Sequence, residues 1–528
     1  MTKIGLTAAP KNRFSATAVN RVVRQLLQPT KPQTQKQWLE AVAARTTSLR
    51  PDLAETLLAV LGCQPAPEDH LRGLTIGEIG VCYEALTATV DAASRKDSGQ
   101  YFTPDDVANF MAKHSIGFPK GMWLDPCCGV GNLTWHLASI QDDPEDFVRN
   151  YVTLIDADQV ALKSAVALLG ADFLPYGDTE GLIALNNRSQ HRDFLSNRPL
   201  PEFNYSILNP PYARTELRKQ FRSAKTRDLF AYFLEKVSKT SEGFISVTPA
   251  SYLSAPKFQP LREEIEQQTT GGKIFVFDNV PDTLFRGYKF GSANTSSTNF
   301  VRAAVTICKP SSQTWKITPI IRWKSASREK MLSNNHRLLQ ERYIGPNGEW
   351  VKLMPGMQTL WNDLQKIDTK LSDITVNHET NYFLTVATTP RYYISAAYRN
   401  LDRGSKVVLY FANASDRDRA AVILNSSLPY IWWRSLDGGV TLTKRVLSSI
   451  PITDAQFPSN LPMKLCNDEQ SSIVTKLNAG RINENVKRPS ELVEELNKYV
   501  IPSAKNVALC YTEDMFSEDK QLDFPLEH

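Results

Sequence analysis

No apolar run in the 528 residues approaches the roughly 20 residues a helix needs to cross a bilayer. The opening Met1-Thr2-Lys3-Ile4-Gly5 has no apolar core of a signal peptide, so a cytoplasmic protein is expected. The seven cysteines (Cys63, Cys82, Cys127, Cys128, Cys308, Cys466, Cys510) are odd in number and nowhere in C-x-x-C spacing. Reduced thiols are therefore expected, with neither a zinc site nor any other metal. No clustered acid-x-Lys site near the termini suggests a fused nuclease. The glycine loop at Gly129 and Gly131 is not followed by Gly-Lys-Ser/Thr, which excludes a Walker-type phosphate loop. Charge of either sign is not in large excess: a net +5 permits a polyanionic partner without demanding one.

With 42% hydrophobic and 22% charged residues, the composition is that of an ordinary globular chain. The length suggests about three or four domains of roughly 150 residues. Residues 15–64 alternate helix-like stretches (Thr17 to Leu27, Gln35 to Ala44, Leu53 to Leu61) with prolines, and Ile76 to Ala93 reads as a packing helix before the polar Ser94 to Ser98. From there, strands alternate with helices. Met122 to Leu124, Tyr151 to Ile155, Leu182 to Leu185, Tyr205 to Leu208, Gly243 to Val247, Lys273 to Phe277 and Val301 to Cys308 are the expected strands. An α/β, seven-stranded, mostly parallel Rossmann-like sheet with an antiparallel edge follows from that alternation.

The chemistry-bearing residues fall at the ends of these strands. Asn209-Pro210-Pro211-Tyr212 follows Tyr205 to Leu208 and offers an amide oxygen, a carbonyl next to a rigid proline and an aromatic face. Those groups can hold a planar base by its exocyclic amine and stack on its ring, although a proline-ended strand is more often only a turn. Asp125-Pro126-Cys127-Cys128-Gly129-Val130-Gly131-Asn132 makes a strand, glycine loop, helix arrangement that lets a nucleotide approach the backbone. Asp156, about 25 residues on, stands where an acid can accept from ribose hydroxyls. Asp193 and Phe194 follow a further expected strand, where an acid could take an adenine amine and an aromatic could pack on the ring. Thr103, ahead of Pro104, Asp105 and Asp106, reads as a helix cap. Arg214 to Arg227 is basic and polar and reads as a mobile loop.

Taken in order, Gln100-Tyr101-Phe102-Thr103-Pro104, Asp125 to Gly131, Asp156, Asp193-Phe194 and Asn209-Pro210-Pro211-Tyr212 resemble the motifs of the gamma-class DNA N6-adenine methyltransferases. That class includes type II modification enzymes and the modification subunits of type I systems. The resemblance runs from about Gly99 to Lys309. It implies S-adenosyl-L-methionine as cofactor, held by Gln100, Tyr101, Phe102, Thr103, Pro104, Asp125, Cys127, Gly129, Gly131, Asn132, Asp156, Asp193, Phe194 and Pro211. It implies Asn209, Pro210 and Tyr212 as the catalytic group, with Tyr212 stacking on a flipped adenine. A second stacking aromatic is expected before the last strand: Phe285, with Tyr288, Phe290 and Phe300 as competitors, beside the polar insertion Arg286 to Asn299.

Past Pro310 the pattern is less regular. Trp315 to Trp323, Arg391 to Tyr393 and Lys406 to Phe411 interleave basic and aromatic residues, which suits a nucleic-acid surface or a solvated sheet edge. Trp432-Trp433-Arg434 and Thr441 to Ile452 resemble the end of target-recognition domains, making Arg434, Lys444 and Arg445 candidate DNA contacts. The expected organisation is a helical segment (1–94), a methyltransferase domain (95–310), an α+β target-recognition domain (311–455) and a helical tail (456–528). The implied function is adenine methylation of double-stranded DNA in a bacterial restriction-modification or phage-defence system, with a separate endonuclease or specificity subunit as a partner. Rival functions are methylation of an RNA base or a protein glutamine in the same pocket, and a non-catalytic cofactor-binding recognition subunit.

Overall fold

The structure, a computed structural model, describes residues 15–90, 103–285, 289–290, 293–294, 301–390, 393–454, 456–478 and 480–517. Gln100, Tyr101, Phe102, Tyr288, Phe300, the side chain of Phe290, most of the 286–299 insertion, Arg391, Tyr392 and the acidic last residues lie outside the described part. The chain divides into two compact units, Met1–Lys316 with Arg322–Asn335, and Ile317–Ile321 with His336–His528. The expected boundary near 94 separates no unit, and the chain after 310 returns to the first unit before the second continues.

The first unit opens with helices α1 (Ala16–Leu26), α2 (Lys31–Leu49), α3 (Ala54–Leu61) and α4 (Ile76–Val90). It continues through α5 (Asp105–Lys113), β1 (Trp123–Asp125), α6 (Asn132–Ser139), α7 (Pro144–Asn150), β2 (Val152–Asp156), α8 (Gln159–Phe173), α9 (Thr179–Arg188), β3 (Gln190–His191) and β4 (Tyr205–Leu208). After β4 come α10 (Leu229–Thr240), β5 (Gly243–Pro249), α11 (Gln259–Gln268), β6 (Gly272–Phe277) and β7 (Ala303–Cys308). Every residue of β1, β2 and β4 is buried, as expected of parallel strands covered on both faces.

These strands lie in the order β6-β7-β5-β4-β1-β2-β3. The pairs β1/β2, β1/β4, β2/β3 and β4/β5 are parallel, and β7 runs antiparallel to both β5 and β6. The antiparallel strand is thus internal and not at the edge. Its all-buried Ala-Ala-Val-Thr-Ile-Cys run gains a strand neighbour on each side there, and no crossover helix is needed to enter it. Among the described residues nine strands belong to this sheet, where seven were expected.

Several local expectations are corrected. Leu182 to Leu185 is not a strand but part of α9, because the two leucines share one helix face and Asp178 caps the helix by accepting from Gly181 N. The strand is the two-residue β3 that follows. Thr103 caps nothing: the N-cap of α5 is Pro104, with no side-chain cap. The 214–227 segment is anchored and not loose. Buried Glu235 accepts from Arg222 N and Ser223 N at 2.8 Å each and from Ser223 Oγ at 2.7 Å.

The leading helices dock on the sheet domain. Trp38 Nε1 donates to Ser164 Oγ on α8 at 2.9 Å, and Arg50 donates to the carbonyls of Ala171, Leu174 and Pro175. In the second unit, Thr375–Val376, Lys406–Phe411, Phe383–Ala387 and Ala396–Ala397 form a four-stranded antiparallel sheet. Trp361 and Trp432 stack at 5.1 Å in its core. The expected helical tail contains helices Leu461–Ser472 and Ser490–Val500, but an antiparallel hairpin, Ile473–Asn478 with Arg481–Val486, stands between them.

Gly131 shows how tightly the first unit is packed. It holds φ +91°, and a Cβ there would stand 3.1 Å from the Cβ of Ala165 on α8. Gly131→Ala combines left-handed strain with overpacking and is expected to destabilise the protein by about 1–3 kcal/mol. Urea unfolding at an unchanged m-value checks this.

Candidate active site

Parallel pairing of β1 with β4 (Trp123↔Tyr205, Leu124↔Ser206) brings Asp125 and Asn209 to the same end of the sheet, where the strand order reverses. Open α/β sheets bind ligands at such a point. A cavity of about 350 Å³ lies there, within the range of small-molecule sites. Of the expected residues, Thr103, Asp125, Cys127, Gly129, Asn132 and Asp156 line it, as do Asp193, Phe194, Asn209 and Pro211. Pro104, Gly131, Pro210, Tyr212 and Phe285 do not. Gly131 serves the packing of the glycine turn against α8.

Each wall is fixed by local hydrogen bonds. Asp125 accepts from Cys127 N (3.3 Å) and Thr134 Oγ1 (3.0 Å). Asp156 accepts from Gly129 N and Asp158 N, both at 2.8 Å, so the strand-end acid also shapes the glycine loop. Burial raises both carboxyls, Asp125 to about 7 and Asp156 to about 6. Burial also raises the thiols of Cys127 and Cys128 well above the ordinary cysteine value, so they are held as neutral thiols. The Cys127 thiol points at the backbone carbonyl of Asn209, 3.4 Å away.

Thr103 connects the two halves of the site. Its hydroxyl accepts from Asn209 Nδ2 at 2.9 Å and its carbonyl accepts from Asn132 Nδ2 at 2.8 Å. The bond to Thr103 uses the amide nitrogen of Asn209 and fixes the side-chain plane. Asn132 lines the cavity, and its buried Oδ1 has no hydrogen-bond partner among the described residues.

At the other end, Asp193 accepts from Leu195 N (2.9 Å) and from Arg218 Nη1 (3.0 Å). Phe194 is 1% exposed and so offers the cavity little surface. Lys236 donates to the carbonyls of Phe194 and Ser196 at 2.6 and 2.9 Å and lies 4.9 Å over the Phe194 ring. Sequence reasoning passed over Lys236 and Arg218, and over Gly80, Tyr83 and Glu84 of α4, which also line the cavity. The α4 helix is therefore more than packing. No local pattern signals this: the hydroxyl of Tyr83 donates to Asp158, the residue that caps α8.

Tyr212 is held in place. Its hydroxyl donates to Val247 O at 3.1 Å, and the rings of Phe230 and Phe285 stand nearly perpendicular to its own, at 76° and 77°. With ring centroids 5.9 Å apart and nearly perpendicular, Tyr212 and Phe285 leave no slot for a base between parallel faces, which needs contacts of about 3.5 Å on each side. In this structure Phe285 supports Tyr212 and does not face it. In the second unit Lys444 is exposed and Arg434 half-buried, while Arg445 is paired with buried Glu349. Trp432 and Trp433 are core residues. Arg322, expected on a surface, is buried against Asp278, which also accepts from Arg302. Among the described residues no group of His, Cys, Asp and Glu is placed to hold a metal ion, and no helix is long and apolar enough to cross a membrane.

Residues 75–163 match the family described as N-6 DNA Methylase. The chain is 31% identical over 166 residues to the type II methyltransferase M.BanIII of Aneurinibacillus aneurinilyticus, covering 28% of this chain and 27% of that protein. It is 23% identical over 222 residues to the type II methyltransferase M.PstI of Providencia stuartii, covering 37% and 42%. The match thus spans well under half the length of these relatives. Among solved structures, the type I restriction-modification methyltransferase subunit of Streptococcus thermophilus superposes with a TM-score of 0.34 and 17% identity, over 62% of this chain and 75% of that one.

The raised carboxyls carry a sign. An unfolded aspartate ionises near 3.9, so a group raised to about 7 binds more protons folded than unfolded, and stability falls as pH rises between those values. Asp125→Asn preserves both hydrogen bonds, since the amide can accept from Cys127 N and donate to Thr134 Oγ1. The variant is expected to be more stable than the parent above pH 7, by at most about 1.4 kcal/mol for each tenfold displacement of the equilibrium. The gain should vanish near pH 4, as read by urea unfolding across the range.

Proposed function

We propose that this chain is a site-specific DNA methyltransferase that modifies adenine N6 in duplex DNA as part of a restriction-modification or phage-defence system. The observation that carries the proposal is the convergence of Thr103, Asp125, Asp156 and Asn209, from four separate segments, on one cavity at the sheet's switch point. Similarity of residues 75–163 to N-6 DNA methylases supports the same reading.

The residues present fit S-adenosyl-L-methionine. The two buried acids offer acceptors for an ammonium group and for ribose hydroxyls, and Phe194 borders the same cavity. When bound, that cofactor supplies an electrophilic methyl group. Asn209 does the work on the substrate: with its nitrogen tied to Thr103, its oxygen accepts from the adenine amine, together with the Pro210 carbonyl. Those bonds favour a lone pair localised on the exocyclic nitrogen and hold it in position. The methylated nitrogen is acidic enough to lose its proton to water, so no strong general base is required. Tyr212 stacks on the flipped base and recovers part of the few kcal/mol spent in unstacking it. Exposed Lys444 suits a phosphate contact better than Arg445, whose charge is already engaged by Glu349.

Methyl transfer from labelled cofactor to duplex DNA, RNA and protein tests the reading; transfer to RNA or protein alone would overturn it. Asn209→Ala is expected to slow single-turnover methylation about a hundred- to a thousandfold with cofactor affinity retained. Tyr212→Phe should be slower than the parent but faster than Tyr212→Ala, because it keeps the face and loses the bond to Val247. A separate measurement concerns the acid on β2. Asp156→Ala is expected to weaken cofactor binding in calorimetry roughly ten- to a hundredfold, with DNA affinity unchanged.

A further inference from the structure

Arg328 follows the last cofactor motif by many residues, yet it belongs to the first unit and is 3% exposed. Its guanidinium grips two distant segments at once. Nε and Nη2 donate to the two carboxylate oxygens of Asp106 at 2.6 and 3.0 Å. Nη1 and Nη2 donate to the carbonyls of Thr283 and Leu284, both at 2.8 Å. Asp106 stands in the first turn of α5, three residues beyond Thr103, whose hydroxyl holds Asn209. Thr283 and Leu284 immediately precede Phe285, whose ring stands nearly perpendicular to that of Tyr212.

We propose that Arg328 is a positioning residue for the base pocket: one buried fork spans the two walls and sets Asn209 and Tyr212 relative to each other. This rests on the function proposed above. A buried guanidinium is costly unless it is paired and hydrogen-bonded, and here four of its five N–H donors are spent on these two walls. Lysine cannot reproduce the geometry, because an ammonium lacks the planar fork that takes a carboxylate side-on while reaching two carbonyls. Arg50 is a natural comparison. It is also largely buried and pairs with Asp52 and three carbonyls, but those partners adjoin neither Thr103 nor Phe285 in the chain.

The test uses the full chain and a duplex containing the site that the parent methylates, with 2-aminopurine at the target position. In Arg328→Gln we expect single-turnover methylation to fall about ten- to a hundredfold and the 2-aminopurine signal of base capture to weaken. Cofactor affinity in calorimetry should stay near the parental value. Arg328→Lys should fail to restore the rate, and Arg50→Gln should lower the unfolding temperature while leaving the rate per folded molecule intact. Should Arg328→Gln not fold, Asp106→Asn, which keeps the guanidinium and removes one of the two acceptors it uses on this side chain, is expected to show the same selective loss in milder form. A parental rate in the variant that folds, full rescue by lysine, or an equal rate loss in Arg50→Gln would overturn the proposal. If the parent itself transfers no methyl group to DNA, the function reading fails. Hydrogen exchange at Thr283 to Phe285 then decides the clamp: faster exchange in Arg328→Gln supports it and unchanged exchange rejects it.

Discussion

The parallel pairing of β1 with β4 is the constraint on which the site depends. Side chains at the ends of neighbouring parallel strands emerge on the same edge, so Leu124↔Ser206 pairing delivers the glycine loop and the Asn209 turn side by side. Prolines at 210 and 211 then stop the strand from extending past that edge. A slip in this register would separate the acid wall from the amide, whatever the residues in the loops.

Within that frame, polar groups are fixed by one another before any ligand arrives. Asp156 is bonded to Gly129 N and Asp158 N, and Asp158 in turn caps α8. The acid that would face a ribose is therefore also the one that shapes the glycine loop. This pre-organisation has a cost, visible in carboxyls raised by burial. Sites commonly sacrifice stability in this way to hold groups ready for a reaction.

Much of the sheet was legible because buried parallel strands read as short apolar runs ending in turn residues, as at Val152–Asp156 and Tyr205–Leu208. Where that signal is weak, the reading failed. Leu182 and Leu185 satisfy a helix face as well as a strand, and only the Asp178 cap decides between them. The candidate site was legible at the strand ends. The helix α4 contribution was not, because Tyr83 reaches the cavity through a fold contact with Asp158 that no local pattern encodes. Thr103 lines the cavity but is no helix cap; a threonine before a proline-led helix resembles a cap until its hydroxyl is seen to hold Asn209.

Basic and aromatic residues beyond 310 suggest a nucleic-acid surface in sequence, but burial redistributes them. Trp323 packs edge-on against Phe277, and Arg322 and Arg328 neutralise Asp278 and Asp106 inside the first unit. A charge used in this way is unavailable to phosphate, so the count of lysines and arginines in the segment overstates its capacity for DNA. It also means that the first unit is discontinuous in sequence. A chain ending near 310 would retain every recognisable motif yet leave the carboxylate of Asp106 buried without its cation. Unpaired buried charge of that kind costs more than the loss of most surface contacts, so the cavity-lining motifs and the folding unit that supports them do not share a boundary.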